Sequence, residues 1–185
     1  MTAPSLAPDA GFVDPANVHV WETGDLFVFD PAVEFVPATH IPADIDADIH
    51  ADWKPAGLIL GDPGIELPRD IDETDLNAWQ LKRYRVKWRN GKLNGTCTLL
   101  ETNPVVDDLR APTMQPAHKV RRLAMMFWDS DTGYIERRFT KVPAHLFVEN
   151  DSFSEEPKGR PCRLRFFPDG DGVIFDIQTT PPPTP

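Results

Sequence analysis

Short runs in which apolar and polar residues alternate recur along the chain, whereas apolar residues spaced three and four apart are rare. Alternation with a period of two is typical of β-strands that have one buried face. The longest run extends from Trp79 to Arg89, and Asn90-Gly91-Lys92 after it predicts a turn into a second strand over Leu93–Thr102. The pattern therefore predicts a mainly β protein with one long hairpin over residues 79–102.

Three shorter hairpins and one helix are also predicted. Turn residues between alternating runs favour hairpins that join 18–21 to 26–29, 118–128 to 134–141, and 162–167 to 173–177. The helix is predicted over Val105–Arg110, because Asn103 is a good N-cap and Pro104 suits the first helical position.

The segment from Pro31 to Lys54 is predicted to be a long loop. It is rich in Pro and Asp, shows no period that would bury it, and an uncovered loop of this length is usually functional. We therefore interpret it as a loop that engages a partner, with four candidate acidic residues: Asp44, Asp46, Asp48 and Asp52. The remaining organisation is an N-terminal arm over residues 1–17, a β domain over 18–178 and a Pro-rich tail over 179–185 that cannot join a sheet.

Charge is strongly segregated along the 185 residues, whose net charge is −10. Residues 1–75 carry 16 acids and 2 bases (−14), residues 76–141 carry 6 and 13 (+7), and residues 142–185 carry 7 and 4 (−3). The net negative charge disfavours tight nucleic-acid binding. The segregation favours an acidic surface that meets a basic one, either within one subunit or between neighbouring copies.

A basic stripe is predicted on the longest strand, where alternation places one set of side chains on the face opposite Tyr84, Val86 and Trp88. It consists of Arg83, Arg85, Lys87 and Arg89. Such a row could contact phosphates, but the aromatic residues fall on the core face, so base stacking is not supported. We favour an acidic protein surface as its partner.

Candidate chemistry is sparse, and the sequence predicts neither an enzyme nor a cofactor. It has no glycine-rich nucleotide loop, G-x-S-x-G, H-E-x-x-H or paired C-x-x-C, and its five histidines are dispersed. Asp44, Asp46, Asp48, His50 and Asp52 alternate in a way that could hold a hard cation, but the glycine and closing glutamate of an EF-hand are missing. Solvated acids are the favoured interpretation.

The cellular setting is constrained by three further features. Cys97 and Cys162 are predicted to be reduced core thiols rather than a disulfide. No apolar stretch approaches the length of a membrane span, and the first residues lack the basic and apolar regions of an export signal. We therefore expect no membrane association.

The order of several short motifs resembles that of the major tail tube proteins of long, non-contractile-tailed bacteriophages, especially those of high-GC actinobacterial hosts. The resemblance covers about Val18 to Ile177 and is carried by these motifs: Thr23-Gly24, Trp53-x-x-x-Gly57-Leu58-Ile59 with Gly64, Glu73-Thr74 before Ala78-Trp79-Gln80, Leu99-Leu100-Glu101-Thr102-Asn103, Pro143, and Phe167-Pro168-Asp169.

The resemblance implies two packed antiparallel sheets, a β-sandwich or half-barrel, with one short flanking helix. Six subunits would form a ring around an acidic channel for viral DNA, and stacked rings would form the tail tube of the virion, assembled in the host cytoplasm. The Pro31–Lys54 segment would be the stacking loop, and both termini would be arms. Its partners would be further copies and the tape-measure, terminator and distal tail proteins. Alternatives are a tail terminator or connector ring, or an acidic β module that binds a ligand or metal.

Overall fold

The computed structural model describes residues 19–78, 81–110, 119–150 and 159–180. Within the long hairpin, the side chains that it describes are those of residues 69–75, 87 and 91–99. Within these residues the chain forms ten strands and two short helices: β1 (Thr23–Phe29), α1 (Pro37–His40), β2 (Trp53–Pro55), β3 (Arg69–Ala78), β4 (Leu81–Leu99), α2 (Pro104–Leu109), β5 (Val120–Arg121), β6 (Leu123–Asp129), β7 (Tyr134–Thr140), β8 (Ala144–Val148), β9 (Arg160–Phe166) and β10 (Phe175–Thr179).

The strands form two antiparallel sheets of five strands each. The strand order is β10-β7-β6-β1-β2 in the first sheet and β3-β4-β9-β8-β5 in the second. Both sheets are open over the described residues, so that β10 and β2 are edges of the first and β3 and β5 are edges of the second. The expected mainly β fold with two packed antiparallel sheets is confirmed.

The main hydrophobic core lies between the two sheets. It contains side chains from both sheets and from α2: Leu26, Val28, Leu123 and Met125 from the first sheet, Leu93, Cys97, Leu99, Leu146 and Leu164 from the second, and Val106 and Leu109 from the helix. Successive residues of a strand point to opposite faces. The neighbouring Phe29, Ala124 and Phe139 therefore form a second cluster on the other face of the first sheet, together with Trp53.

The predicted helix forms as α2, and the structure adds a second one. Asn103 caps α2 because its Oδ1 accepts a hydrogen bond from the Val106 backbone N–H at 2.9 Å, and its amide also donates to the Ala56 carbonyl at 3.1 Å. The expectation of a single helix is wrong. The four residues of α1 lie inside the segment predicted as a loop, with Pro37 at the first turn, and a helix this short has no periodicity to detect.

The long hairpin is formed by different strands from those predicted. Asn90-Gly91 lies inside β4, which runs through to Leu99 and pairs first with β3 and then with β9. Asp70 pairs with Lys92 and Asp72 with Arg89, so two residues of β4 oppose one of β3. The Asn-Gly pair therefore forms a β-bulge rather than a turn, because pairing with two neighbouring strands outweighs the local turn preference.

Two other predicted hairpins are also wrong, whereas β6 and β7 form the hairpin expected near residue 130. Thr23 and Gly24 lie within β1, opposite Trp128 and Phe127, rather than in a turn. β9 belongs to the second sheet and β10 to the first, so the Pro168–Gly172 turn carries the chain between sheets. Turn chemistry identifies a change of direction but does not determine which sheet the next strand joins.

The predicted C-terminal boundary is two residues too early. Thr179 pairs with Glu136, and the Thr180 backbone N–H donates to the Ile135 carbonyl at 3.0 Å. The remaining predicted tail and the predicted N-terminal arm lie outside the described residues. None of the helices in the described part of the chain has the length and apolar character that a membrane span requires.

Asp129 should make folding sensitive to acid. Its buried carboxylate accepts hydrogen bonds from the Thr132 hydroxyl at 2.8 Å, the His19 ring at 3.2 Å and the Asp131 amide at 3.1 Å. The Thr132 bond first, then those from His19 and the backbone, hold the pKa of Asp129 below its ordinary value. A lowered folded pKa contributes stability above the unfolded value of about 3.9, and this contribution is lost as pH falls through the folded value.

We expect Asp129→Asn to lower the free energy of unfolding at pH 7. Below about pH 4, the free energy of unfolding of the variant should fall less steeply with pH than that of the wild type. Urea unfolding at a series of pH values measures both effects. The control is Asp131→Asn, which alters an exposed carboxylate in the same turn. Identical pH profiles for the two variants would show that Asp129 has no special role.

Candidate functional site

The β3–β4 hairpin extends beyond the rest of its sheet as a two-stranded ribbon, which we define as residues 69–78 and 81–92. Within the described part of the chain, β3 is the one strand that pairs with this part of β4, because β9 begins its pairing at Leu93. Every residue from Arg69 to Asp75 is exposed, including Ile71. Both faces of β3 therefore lie in solvent from Arg69 to Asp75, an arrangement that marks an available surface rather than a packed strand.

All four residues of the basic stripe lie on the ribbon. Arg83, Arg85, Lys87 and Arg89 lie in β4, and the last three are alternate residues between two irregularities in its register with β3. Lys87 is exposed. Arg89 is paired in register with Asp72, and β3 carries four acids against one base. Acidic residues thus lie on the neighbouring strand of the same subunit, one of the two arrangements predicted for the stripe.

The predicted uncovered loop is instead anchored on the outer face of the first sheet. Ile45 is buried, and Ile41 and Ile49 pack against the second cluster, so every fourth residue faces the protein. The Arg137 guanidinium donates to the Ala47 carbonyl at 2.7 Å, and the Gln178 amide donates to the Pro42 carbonyl at 2.6 Å. The expectation that this segment has no burying period is therefore wrong.

The four candidate acids of this segment divide into two environments. Asp44, Asp46 and Asp48 are exposed, and Asp44 Oδ1 accepts hydrogen bonds from the Asp46 and Ala47 backbone amides. Asp52 is half-buried and turns toward two imidazole rings. We call residues 41–52 the aspartate loop. Its first three acids form a solvent-facing negative surface, whereas Asp52 belongs to a separate cluster.

That cluster contains His40, His50 and Asp52. Asp52 Oδ2 lies 3.4 Å from His40 Nε2 and 3.2 Å from His50 Nδ1, and the two rings meet edge to face with centroids 4.8 Å apart. His40 is the last residue of α1, whereas the other two precede β2. The five histidines are dispersed along the sequence. The short His-x-Asp spacing at 50–52 was visible, but the approach of His40 depends on the fold.

The two thiols are buried and free, opposite each other in the register of β4 and β9. The neighbouring Cys97 thiol and burial raise the pKa of Cys162. Because the thiolate is the reactive form, Cys162 is suited to the core rather than to nucleophilic chemistry.

An apolar groove runs along one side of the sandwich, where the edge strands β3 and β10 approach each other. Its volume is about 480 Å³ and it lies at the base of the ribbon. Ile71, Val173 and Ile177 line it and are 47%, 41% and 56% exposed. Exposed apolar residues beside two open strand edges are typical of a surface that another protein covers.

A comparison of the sequence with models of known protein families and with curated proteins found no match. The features that bear on function are therefore the ribbon, the open edges, the groove and the charge distribution.

Proposed function

We propose that this protein is the structural subunit of a phage tail tube, in which six copies form a ring and rings stack around an acidic channel that conducts viral DNA. The ribbon is the observation that carries the proposal. It exposes both faces of β3 from Arg69 to Asp75, and the part of β4 from residue 81 to 92 has β3 as its single strand neighbour within the described residues. Such an edge is a template for pairing with another copy.

The sandwich below the ribbon supports the same proposal. A ring needs two different surfaces on each subunit that fit each other head to tail. The open edges β3 and β10 and the groove between them supply one surface on one side of the molecule. The opposite edge strands, β2 and β5, supply the second surface. Joining sheets across subunits would remove the exposed edges that each subunit presents alone.

The charge distribution of the subunit supports the proposed contacts between stacked rings. The exposed acids of the aspartate loop lie in the −14 segment, whereas the basic stripe lies in the +7 segment. These surfaces are suited to attract each other between stacked rings, and charge complementarity would set their register. A net charge of −10 on each copy would repel DNA phosphates and help the genome to slide.

Negative-stain electron microscopy of the concentrated protein tests the proposal. Tubes or stacked rings are expected. Single rings that never stack would favour the alternative of a tail terminator or connector, which a virion needs in one ring rather than many. A protein that stays monomeric under all assembly conditions and is missing from virions would overturn the proposal.

Charge reversal on the stripe should impair assembly. In the double variant Arg85→Glu/Lys87→Glu we expect folded monomers and few or no tubes, because the stripe would repel the acidic surface it normally meets. Sedimentation velocity and electron microscopy measure assembly, and circular dichroism checks folding.

The matched control is Arg163→Glu/Arg165→Glu, which changes net charge equally at two exposed alternate positions of β9. It interrupts the surface ion pair of Arg163 with Glu149, an interaction that contributes about 0–1 kcal/mol. Normal polymerisation of the stripe variant would show that these bases face solvent in the assembled protein.

A further inference from the structure

We propose that His40, His50 and Asp52 form a binding site for one divalent transition-metal ion, with Zn²⁺ as the best fit. This inference is independent of the proposed tail function, because it rests on side chains outside the ribbon and the groove. Among the described residues they are the group of three potential ligands whose donor atoms lie within 4.8 Å of one another. They combine two imidazoles with one carboxylate.

Two of the three separations between donor atoms fit a common metal centre. Zinc binds imidazole nitrogen and carboxylate oxygen at about 2.0–2.2 Å, so ligands at tetrahedral angles lie about 3.3–3.5 Å apart. The two measured separations, 3.4 Å from His40 Nε2 and 3.2 Å from His50 Nδ1 to Asp52 Oδ2, lie at or near this range. Asp52 Oδ2 is therefore already placed as a ligand beside both rings.

The hydrogen bonding of the His40 ring resembles that of a metal-binding histidine. A ligating histidine usually donates its other ring N–H to a carbonyl or carboxylate. His40 Nδ1 lies 3.0 Å from the Val36 carbonyl oxygen, so the tautomer protonated at Nδ1 can donate there and leave the Nε2 lone pair directed at the site. The other tautomer accepts the Val36 N–H at 2.9 Å. Nδ1 therefore has a backbone partner in either tautomer, and metal binding selects the first.

Packing holds the His40 ring in place. It meets Phe29 edge to face at 4.9 Å and stacks on Phe35 at 5.7 Å, and the Trp53 indole donates to the His40 carbonyl at 2.8 Å. His50 is less constrained, because its Nδ1 accepts only a long bond of 3.3 Å from the Asp52 amide, which a metal would replace. The His40 ring is thus held in a fixed position, whereas the His50 ring can adjust when a metal binds.

The donor types and their exposure identify the class of ion. Imidazole nitrogen suits Zn²⁺ and neighbouring transition metals, whereas Ca²⁺ and Mg²⁺ prefer oxygen ligands. The side chains of His40, Asp52 and His50 are 6%, 26% and 40% exposed, so solvent reaches the site from the His50 side. Three protein ligands with an accessible fourth position are typical of zinc sites that retain a water.

Calorimetric titration of the full chain with Zn²⁺ tests the site. We expect one equivalent to bind, and the melting temperature to rise with Zn²⁺ concentration because the ion favours the folded state. His50→Ala and Asp52→Asn should each weaken binding by about tenfold or more, as loss of even an outer-shell partner commonly does. Asp48→Asn, an exposed acid of the same loop, is the matched control and should bind like wild type.

Cobalt substitution separates this site from the thiols. Co²⁺ bound by imidazole and carboxylate should show visible d–d bands without the intense near-ultraviolet band of a Co²⁺–thiolate bond. Absence of saturable binding by the wild type, equal binding by His50→Ala, Asp52→Asn and Asp48→Asn, or a thiolate band would each overturn the proposal. Circular dichroism of each variant verifies that it remains folded.

Discussion

A chain with a shortened ribbon should fold as a monomer and fail to form rings or tubes. The design replaces residues 74–87 with Asn-Gly, which joins Glu73 to Trp88, a pair that already lies in register. Asn-Gly is a favoured two-residue hairpin turn. All of the buried core residues that the structure describes between the sheets lie outside the replaced segment.

Assembly should be lost almost completely, since the variant removes half of the open edge strand β3 and three of the four stripe residues together. Electron microscopy and sedimentation velocity measure the assembled fraction. Near-ultraviolet circular dichroism and the melting temperature verify the core of the shortened monomer. Tubes of normal diameter from this variant would show that the ribbon is not an assembly element.

Removal of the Trp53 side chain should produce the largest loss of stability for a single substitution outside the main core. Trp53 is 3% exposed and meets Phe29, Phe35 and Phe139, with ring centroids 5.1, 6.0 and 5.5 Å away. Its indole also donates to the His40 carbonyl. Truncation of a buried Trp to Ala typically costs about 3–5 kcal/mol, so Trp53→Ala should lower the free energy of unfolding by that amount.

Chemical unfolding followed by far-ultraviolet circular dichroism measures this change. Trp53→Phe keeps an aromatic ring but loses the indole donor, and should fall between Ala and wild type. The matched control is Trp128→Ala on β6, where the side chain is 45% exposed. A loss of stability in Trp53→Ala no greater than in this control would contradict the importance of the second cluster.

Local patterns predicted several of the strands, but they missed β3 and did not identify which strands pair. The β6–β7 hairpin and the capped helix α2 depend on neighbouring residues and were identified from the sequence. Asn90-Gly91 has equally good local turn chemistry, yet it lies within β4 because β3 and β9 pair on either side of it. That outcome depends on strands far apart in sequence, which single-sequence alternation does not reveal.

The candidate site likewise contains features that could be predicted from local sequence and features that depend on the fold. The placement of Arg83, Arg85, Lys87 and Arg89 on one long strand could be predicted, because apolar and polar residues alternate around them. The burial of the aspartate loop could have been inferred from Ile41, Ile45 and Ile49, whose spacing of four is unusual between exposed acids. The approach of His40 to His50 and Asp52 could not, because it requires α1 and β2 to meet on the outer face of a sheet.

The pairing of distant strands also has a consequence for how the chain folds. β1 pairs with β6, about 100 residues later, and β4 is joined to the rest of its sheet through β9. Non-local pairings of this kind slow folding, whereas the β3–β4 hairpin is local and can form early. During synthesis, the ribbon would therefore precede the sandwich that supports it. Newly made chains would expose an aggregation-prone strand edge until residues 160–179 emerge from the ribosome. A chaperone would be most useful during that period.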